Sequence, residues 1–150
     1  MRVGLAIFAG LLPWSRASAA EEQIVDLGSF EKGTDDFEGD LTRVSDGGGE
    51  GTGYLRLCNG EQNFVEMGCR LALRQDFLEF RFMARGDSTD HVGVRFTDAT
   101  GQEFLHRLPL PPDRIWHELK IREFGAGETW GGAADKKWHP PCRGVTFVLE

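Results

Sequence analysis

"HVGVRFTDATGQEFLHRLPL", residues 91–110, is the stretch that decides the fold class. Val92, Val94 and Phe96 fall on one face of its first half, with His91 and Arg95 on the other. A period of two belongs to a strand with one buried face. "TDATGQE" (97–103) follows with turn chemistry, Gly101 being free to take a positive φ, and "FLHRLPL" returns as a second strand. The predicted element is a β-hairpin.

The same alternation runs outward in both directions. "GYLRLC" (53–58) puts Leu55 and Leu57 on one face. "VEMGCRLAL" (65–73) sets Val65, Met67, Cys69, Leu71 and Leu73 against Glu66, Gly68, Arg70 and Ala72. "FLEFRFMA" (77–84) points Leu78, Phe80 and Phe82 one way, Glu79 and Arg81 the other. "IWHELKI" (115–121) alternates Ile115, His117, Leu119 and Ile121 against Trp116, Glu118 and Lys120, and "GVTFVLE" (144–150) is the last such run. Helical periodicity is almost absent. Roughly seven or eight short strands, bounded by Gly, Asp, Asn and Pro clusters, predict an all-β, antiparallel β-sandwich. "SFEKGTDDFEGD" (29–40) and "SDGGGEGTG" (45–53) read as irregular. Without a strand-to-helix context, the glycines of the second make a loop rather than a phosphate cradle.

The N-terminus speaks to compartment. "MRVGLAIFAGLLPWSRASAA" has one early charge at Arg2, an apolar run from Val3 to about Trp14, and small residues at Ala17-Ser18-Ala19 or Ser18-Ala19-Ala20. This is the pattern of a secretory signal peptide over residues 1–20, with an apolar part too short to span a bilayer. The expected product is secreted or periplasmic, a single domain over 21–150. Loss of Arg2 and Arg16 takes the net charge from -7 to -9, with 15 basic residues against 24 acidic. Such a surface argues against nucleic acid or an anionic membrane as partner and suits a neutral ligand. Cys58, Cys69 and Cys142 include a local disulfide candidate, Cys58 with Cys69, one thiol remaining over; three unpaired cysteines are an equal alternative.

Catalytic signatures are missing. A glycosidase needs two carboxylates about 5 to 9 Å apart across one bond, and no pair here lies in a recognisable motif. GxSxG is absent, and His91, His106, His117 and His139 follow no zinc spacing. Carboxylates beside flexible backbone at Glu31, Gly33, Asp35 and Asp36 suit calcium, a hard cation, although a solvated acidic loop explains them as well. The most suggestive residues are Trp130 and Trp138, in the Gly-, Lys- and Pro-rich run "TWGGAADKKWHPPC" (129–142). Flat indole rings stack on the C–H faces of sugars, and large aromatics supply contact area at low entropic cost. With Arg81, Arg95 and His91 taking hydroxyls, these tryptophans make a candidate site for a neutral polysaccharide or oligosaccharide. The alternative is that both rings fold back as a lid on the sandwich edge.

The run "DFLEFRFMARGDSTDHVGVRFTDATGQEFLHRLPLPPDRIWHELKI", followed by "WGGAADKKWHPPCRGVTFVLE", resembles a galactose-binding-like jelly-roll module. Such modules occur at the N-terminus of secreted bacterial glycoside hydrolases, and "SFEKG" is similar to their "FE.G" opening. The resemblance covers nearly all of residues 24–150. It implies a non-catalytic carbohydrate-binding or accessory module, partnered by a catalytic domain outside this chain. It also implies a structural calcium: Glu31 matches the carboxylate of the "FE.G" region, the Asp of the final strand has no counterpart here, and Gly33 and Asp36 of the acidic loop complete the candidate ligands. The family pattern continues beyond Glu150 with one more strand, so the C-terminal strand is expected to be missing. Two other readings stay open, a purely structural domain that orients a catalytic neighbour and a small jelly-roll enzyme acting on glycans.

Overall fold

A computed structural model describes residues 3–5, 36–45, 53–58, 62 and 64–150. The strands are β1 (Val3–Leu5), β2 (Glu38–Gly39), β3 (Leu41–Ser45), β4 (Gly53–Leu57), β5 (Val65–Arg70) and β6 (Phe80–Arg85). After these come β7 (His91–Thr97), β8 (Gln102–Pro109), β9 (His117–Ile121), β10 (Glu128–Gly131) and β11 (Gly144–Leu149). No helix occurs among the described residues, and so none long and apolar enough to cross a membrane.

All strand pairs are antiparallel, in two sheets. Sheet A has the order β3-β4-β1-β6-β9 and sheet B the order β10-β8-β7-β11-β5-β2. The residues that alternate inward in sequence meet between the sheets. Phe82 of sheet A lies edge-on to Phe147 of sheet B, with centroids 5.0 Å apart, and Phe80 meets Phe96 at 5.3 Å. Leu55, Met67, Val94 and Val145 are fully buried around them. Each such side chain contributes about 1.5–3 kcal/mol on leaving water. These two sheets share one core.

The central hairpin forms as its sequence dictates, in register from His91↔Pro109 to Thr97↔Glu103, with Gly101 at φ 84° in the turn. Other expectations need correction. Leu78 is 89% exposed, because β6 begins only at Phe80 and Phe77 turns inward instead, 4.6 Å from Phe124. Ile115 is 60% exposed because β9 begins at His117. β5 ends at Arg70, after which Leu71 and Leu73 pack on the core without strand pairing. The run around Trp130, read as loop, carries β10; the segment 29–40, read as irregular, contains β2, and β3 lies between the two segments so read. The last run of the sequence is an inner strand: β11 pairs with β5 on one side and β7 on the other.

Sheet A has an unforeseen member. Val3–Leu5, within the stretch read as a signal peptide, pairs with β4 through three residues and with β6 through Gly4↔Arg85 and Leu5↔Ala84. The rest of that stretch lies outside the described residues.

Candidate functional site

The β7–β8 turn is organised by a buried carboxylate. Asp98 Oδ1 accepts from the Thr100 N–H (2.8 Å), the Thr100 hydroxyl (2.7 Å) and the Gln102 N–H (2.9 Å), while Oδ2 accepts from the His139 N–H (3.1 Å). Burial alone would raise this carboxyl; the bonds from Thr100, Gln102 and His139 outweigh it and hold Asp98 below its ordinary range. Gln102, also fully buried, donates from Nε2 to the Lys137 carbonyl (2.8 Å) and accepts the Lys136 N–H on Oε1 (3.3 Å). Gly132, at φ 46°, crosses the hairpin so closely that a Cβ there would lie 2.2 Å from the Gln102 nitrogen. The hairpin therefore fixes the course of residues 132–139.

That course separates the two tryptophans. Trp138 turns inward, with its ring 5.3 Å from Phe104 and 5.7 Å from Phe124, and its indole N–H donates to Asp76 (2.5 Å). It is a packing residue. Trp130 stands on β10 directly across from Glu103 and is 44% exposed. Of the pair, Trp130 offers an open ring.

Arg81 and Arg95 are also separated. Phe80 and Phe82 of β6 face the core, so Arg81 lies on the outer side of sheet A, ion-paired with Glu79, which also holds Arg122. Arg95 lies on the outer side of sheet B, between core residues Val94 and Phe96. His91 shares that side, two residue pairs along β7, with Nδ1 2.6 Å from Asp90. Trp130, Arg95 and His91 are thus on one face, and Arg81 and Trp138 are elsewhere.

The outer face of sheet B carries polar groups that sequence reading missed. Arg95 Nη2 donates to Glu66 on β5 (2.8 Å), and its Nε lies 3.5 Å from Glu103 on β8. That Nε is buried and makes no hydrogen bond in this arrangement. Glu103 accepts the Thr97 hydroxyl on both oxygens, each at 3.1 Å, and burial raises its carboxyl. Beside this network Val148 and Leu105 also point outward, yet are 1% and 6% exposed because they close over Gly93. A Cβ at Gly93 would come within 3.0 Å of the Val148 Cβ. The face is a low apolar floor bordered by Arg95, Glu66, Glu103 and Thr97, with Trp130 on its β10 side. Arg107 closes the far end, bidentate to Glu150 (2.8 and 2.9 Å) and 3.0 Å from Glu128. The signal for Glu66 was present in the phase of alternation, whereas Glu103 was read as part of the turn; the sequence could not supply which strands stand side by side.

Cys58 directly follows β4 of sheet A, Cys69 stands on β5 in sheet B, and all three cysteines, the Cys58–Cys69 candidate pair included, are free thiols. Burial pushes the Cys69 thiol up to about 11 and the Cys142 thiol up to about 12. Glu31 and Gly33 lie outside the described residues, and Asp36 is exposed. Among the described residues no group of three or more His, Cys, Asp or Glu side chains is placed to hold a metal ion. An open cleft of about 540 Å³, lined by His106, Leu108, Lys120, Ile121, Arg122, Glu123 and Ala126, contains none of the expected site residues.

The chain matches no protein-family model and no curated protein.

Proposed function

We propose that this chain is an exported glycan-binding or accessory module of a polysaccharide-degrading protein, without catalysis of its own, and that it binds on the outer face of sheet B. The observation that carries the reading is Trp130. Its ring is open to solvent, across β8 from a rigid Arg95–Glu66–Glu103–Thr97 network able to donate to and accept from hydroxyls. A large aromatic beside fixed polar groups is the arrangement that anchors a flat, hydroxylated ligand. The two antiparallel sheets are consistent with the galactose-binding-like jelly-roll suggested by the sequence resemblance; the calcium at Glu31, Gly33 and Asp36 rests on that resemblance and on the carboxylates of the acidic segment 29–40.

Affinity electrophoresis against plant, algal and microbial polysaccharides tests this. Retardation is expected for the wild type and is expected to weaken roughly tenfold or more in Trp130→Ala, which removes a central aromatic anchor. Equal retardation of both proteins, or none for a folded wild type, would overturn the reading and favour a scaffold role.

One observation favours a second reading as a glycan-active enzyme. Glu66 and Glu103 both face Arg95, and burial raises the Glu103 carboxyl, as a general acid requires. Hydrolysis of the retarding polysaccharide by the wild type and not by Glu103→Gln would establish it.

A further inference from the structure

On the opposite face of the molecule two cations have no acid partner among the described residues. Arg56 of β4 and Arg85 of β6 flank Gly4 in the register of sheet A, and both point away from the core. Arg56 Nη2 donates to the Tyr54 hydroxyl at 3.1 Å and Arg85 Nη2 donates to the same oxygen at 3.3 Å. Two guanidinium groups therefore converge on one neutral oxygen. Arg85 is also stacked, 5.3 Å from the centroid of Tyr54 and 4.8 Å from that of Trp116, and the two rings meet edge to face at 5.5 Å. These aromatic contacts hold the guanidinium planes in place.

Neither arginine forms an ion pair among the described residues. The acids nearby are engaged: Glu118 with Lys120 (2.7 Å), Glu79 with Arg81 and Arg122, Asp87 with Arg114 (3.6 Å). The Nε–H of both Arg56 and Arg85 is buried without an acceptor. Both side chains are only half-buried, so their remaining edges are reachable from solvent. In a chain of net charge -7, half-buried guanidinium groups gathered without a carboxylate run against the charge balance. Like charges held together, with donors left over, are relieved by an anion that takes several of those donors at once.

We propose that Arg56 and Arg85, oriented by Tyr54 and Trp116, form an oxyanion-binding site on the outer face of sheet A. The chemistry recognised is a carboxylate, sulfate or phosphate group, whether free or carried on an acidic sugar. The site is on the sheet opposite Trp130, and its test on the uncleaved chain does not depend on whether Trp130 binds glycan.

The test uses the whole chain and its arginine Nε–H NMR signals. Sodium sulfate, sodium phosphate and galacturonate are titrated separately against sodium chloride of matched ionic strength. Saturable shifts of the Arg56 and Arg85 signals, with Arg81 and Arg122 unmoved, are expected; the anion giving the tightest response separates a free inorganic ion from a uronate. Arg56→Gln and Arg85→Gln are each expected to bind that anion roughly tenfold more weakly. Shifts no larger than in chloride, or equal binding by both variants, would overturn the proposal. The wild-type titration decides the matter even if a variant fails to fold.

Discussion

Asp98→Asn measures how far the position of the tail depends on a single charge. The wild-type carboxylate accepts four hydrogen bonds, three on Oδ1 and one on Oδ2. Bonds to a charged acceptor contribute about 1.5–3 kcal/mol each, against about 1 kcal/mol for neutral pairs. Asparagine can keep the three Oδ1 bonds in weakened form, at a loss of about 2 kcal/mol in all. Its amide nitrogen then faces the His139 N–H, donor against donor, and the buried donor left unpaired costs about 1–2 kcal/mol more. The expected destabilisation is about 3–4 kcal/mol near neutrality, a large share of the 5–15 kcal/mol typical of a domain. Urea denaturation of both proteins, repeated stepwise into the acid range, reads it out. The sign follows from the depressed carboxyl of the folded state. Its contribution is complete above the unfolded-state pKa and is lost as pH falls through the lower, folded-state value. Asparagine does not titrate, so the gap between the two proteins should close in acid. A variant within about 0.5 kcal/mol of wild type near neutrality, or a gap that stays constant into acid, would refute the reasoning.

Two further outcomes follow from burial. Trp138→Ala should lower stability by about 3 kcal/mol, through the lost contacts with Phe104 and Phe124 and the Asp76 carboxylate left without its indole donor, whereas Trp130→Ala should stay within about 0.5 kcal/mol of wild type by the same urea assay. Iodoacetamide at mildly alkaline pH should label Cys69 and Cys142 far more slowly in the native protein than in urea, because thiols pushed up to about 11 and about 12 hold almost no thiolate there; peptide mapping showing equal rates would contradict the burial of both.

The hairpin at residues 91–110 was legible because its cues agree, alternation on both arms with a glycine turn between them. Leu78 and Ile115 fit the same alternation and are nonetheless exposed. Periodicity records which residues would share a face, and it does not record where a strand begins. Trp138 was misleading for a related reason. Its surroundings in sequence are polar and glycine-rich, while its partners, Asp76, Phe104 and Phe124, are brought to it from distant positions by the Asp98 and Gln102 latch. The network of Arg95, Glu66 and Glu103 was half legible: the outward phase of Arg95 and Glu66 could be read, but Glu103 was placed in the turn, and the order β8-β7-β11-β5 that sets the three side by side was not readable.

The short strand β1 ties one of the two faces to the stretch read as a signal peptide. It lies between β4 and β6, which run parallel to each other and share no ladder of their own, and Gly4 sits between Arg56 and Arg85. If export removes residues 1–20, precursor and product carry different versions of sheet A: cleavage leaves two facing strand edges a strand-width apart and takes away the backbone between the two arginines. Among the described residues, sheet B holds none from that stretch. The Trp130 face would then be constitutive, and the arginine face a property of the precursor, altered by maturation.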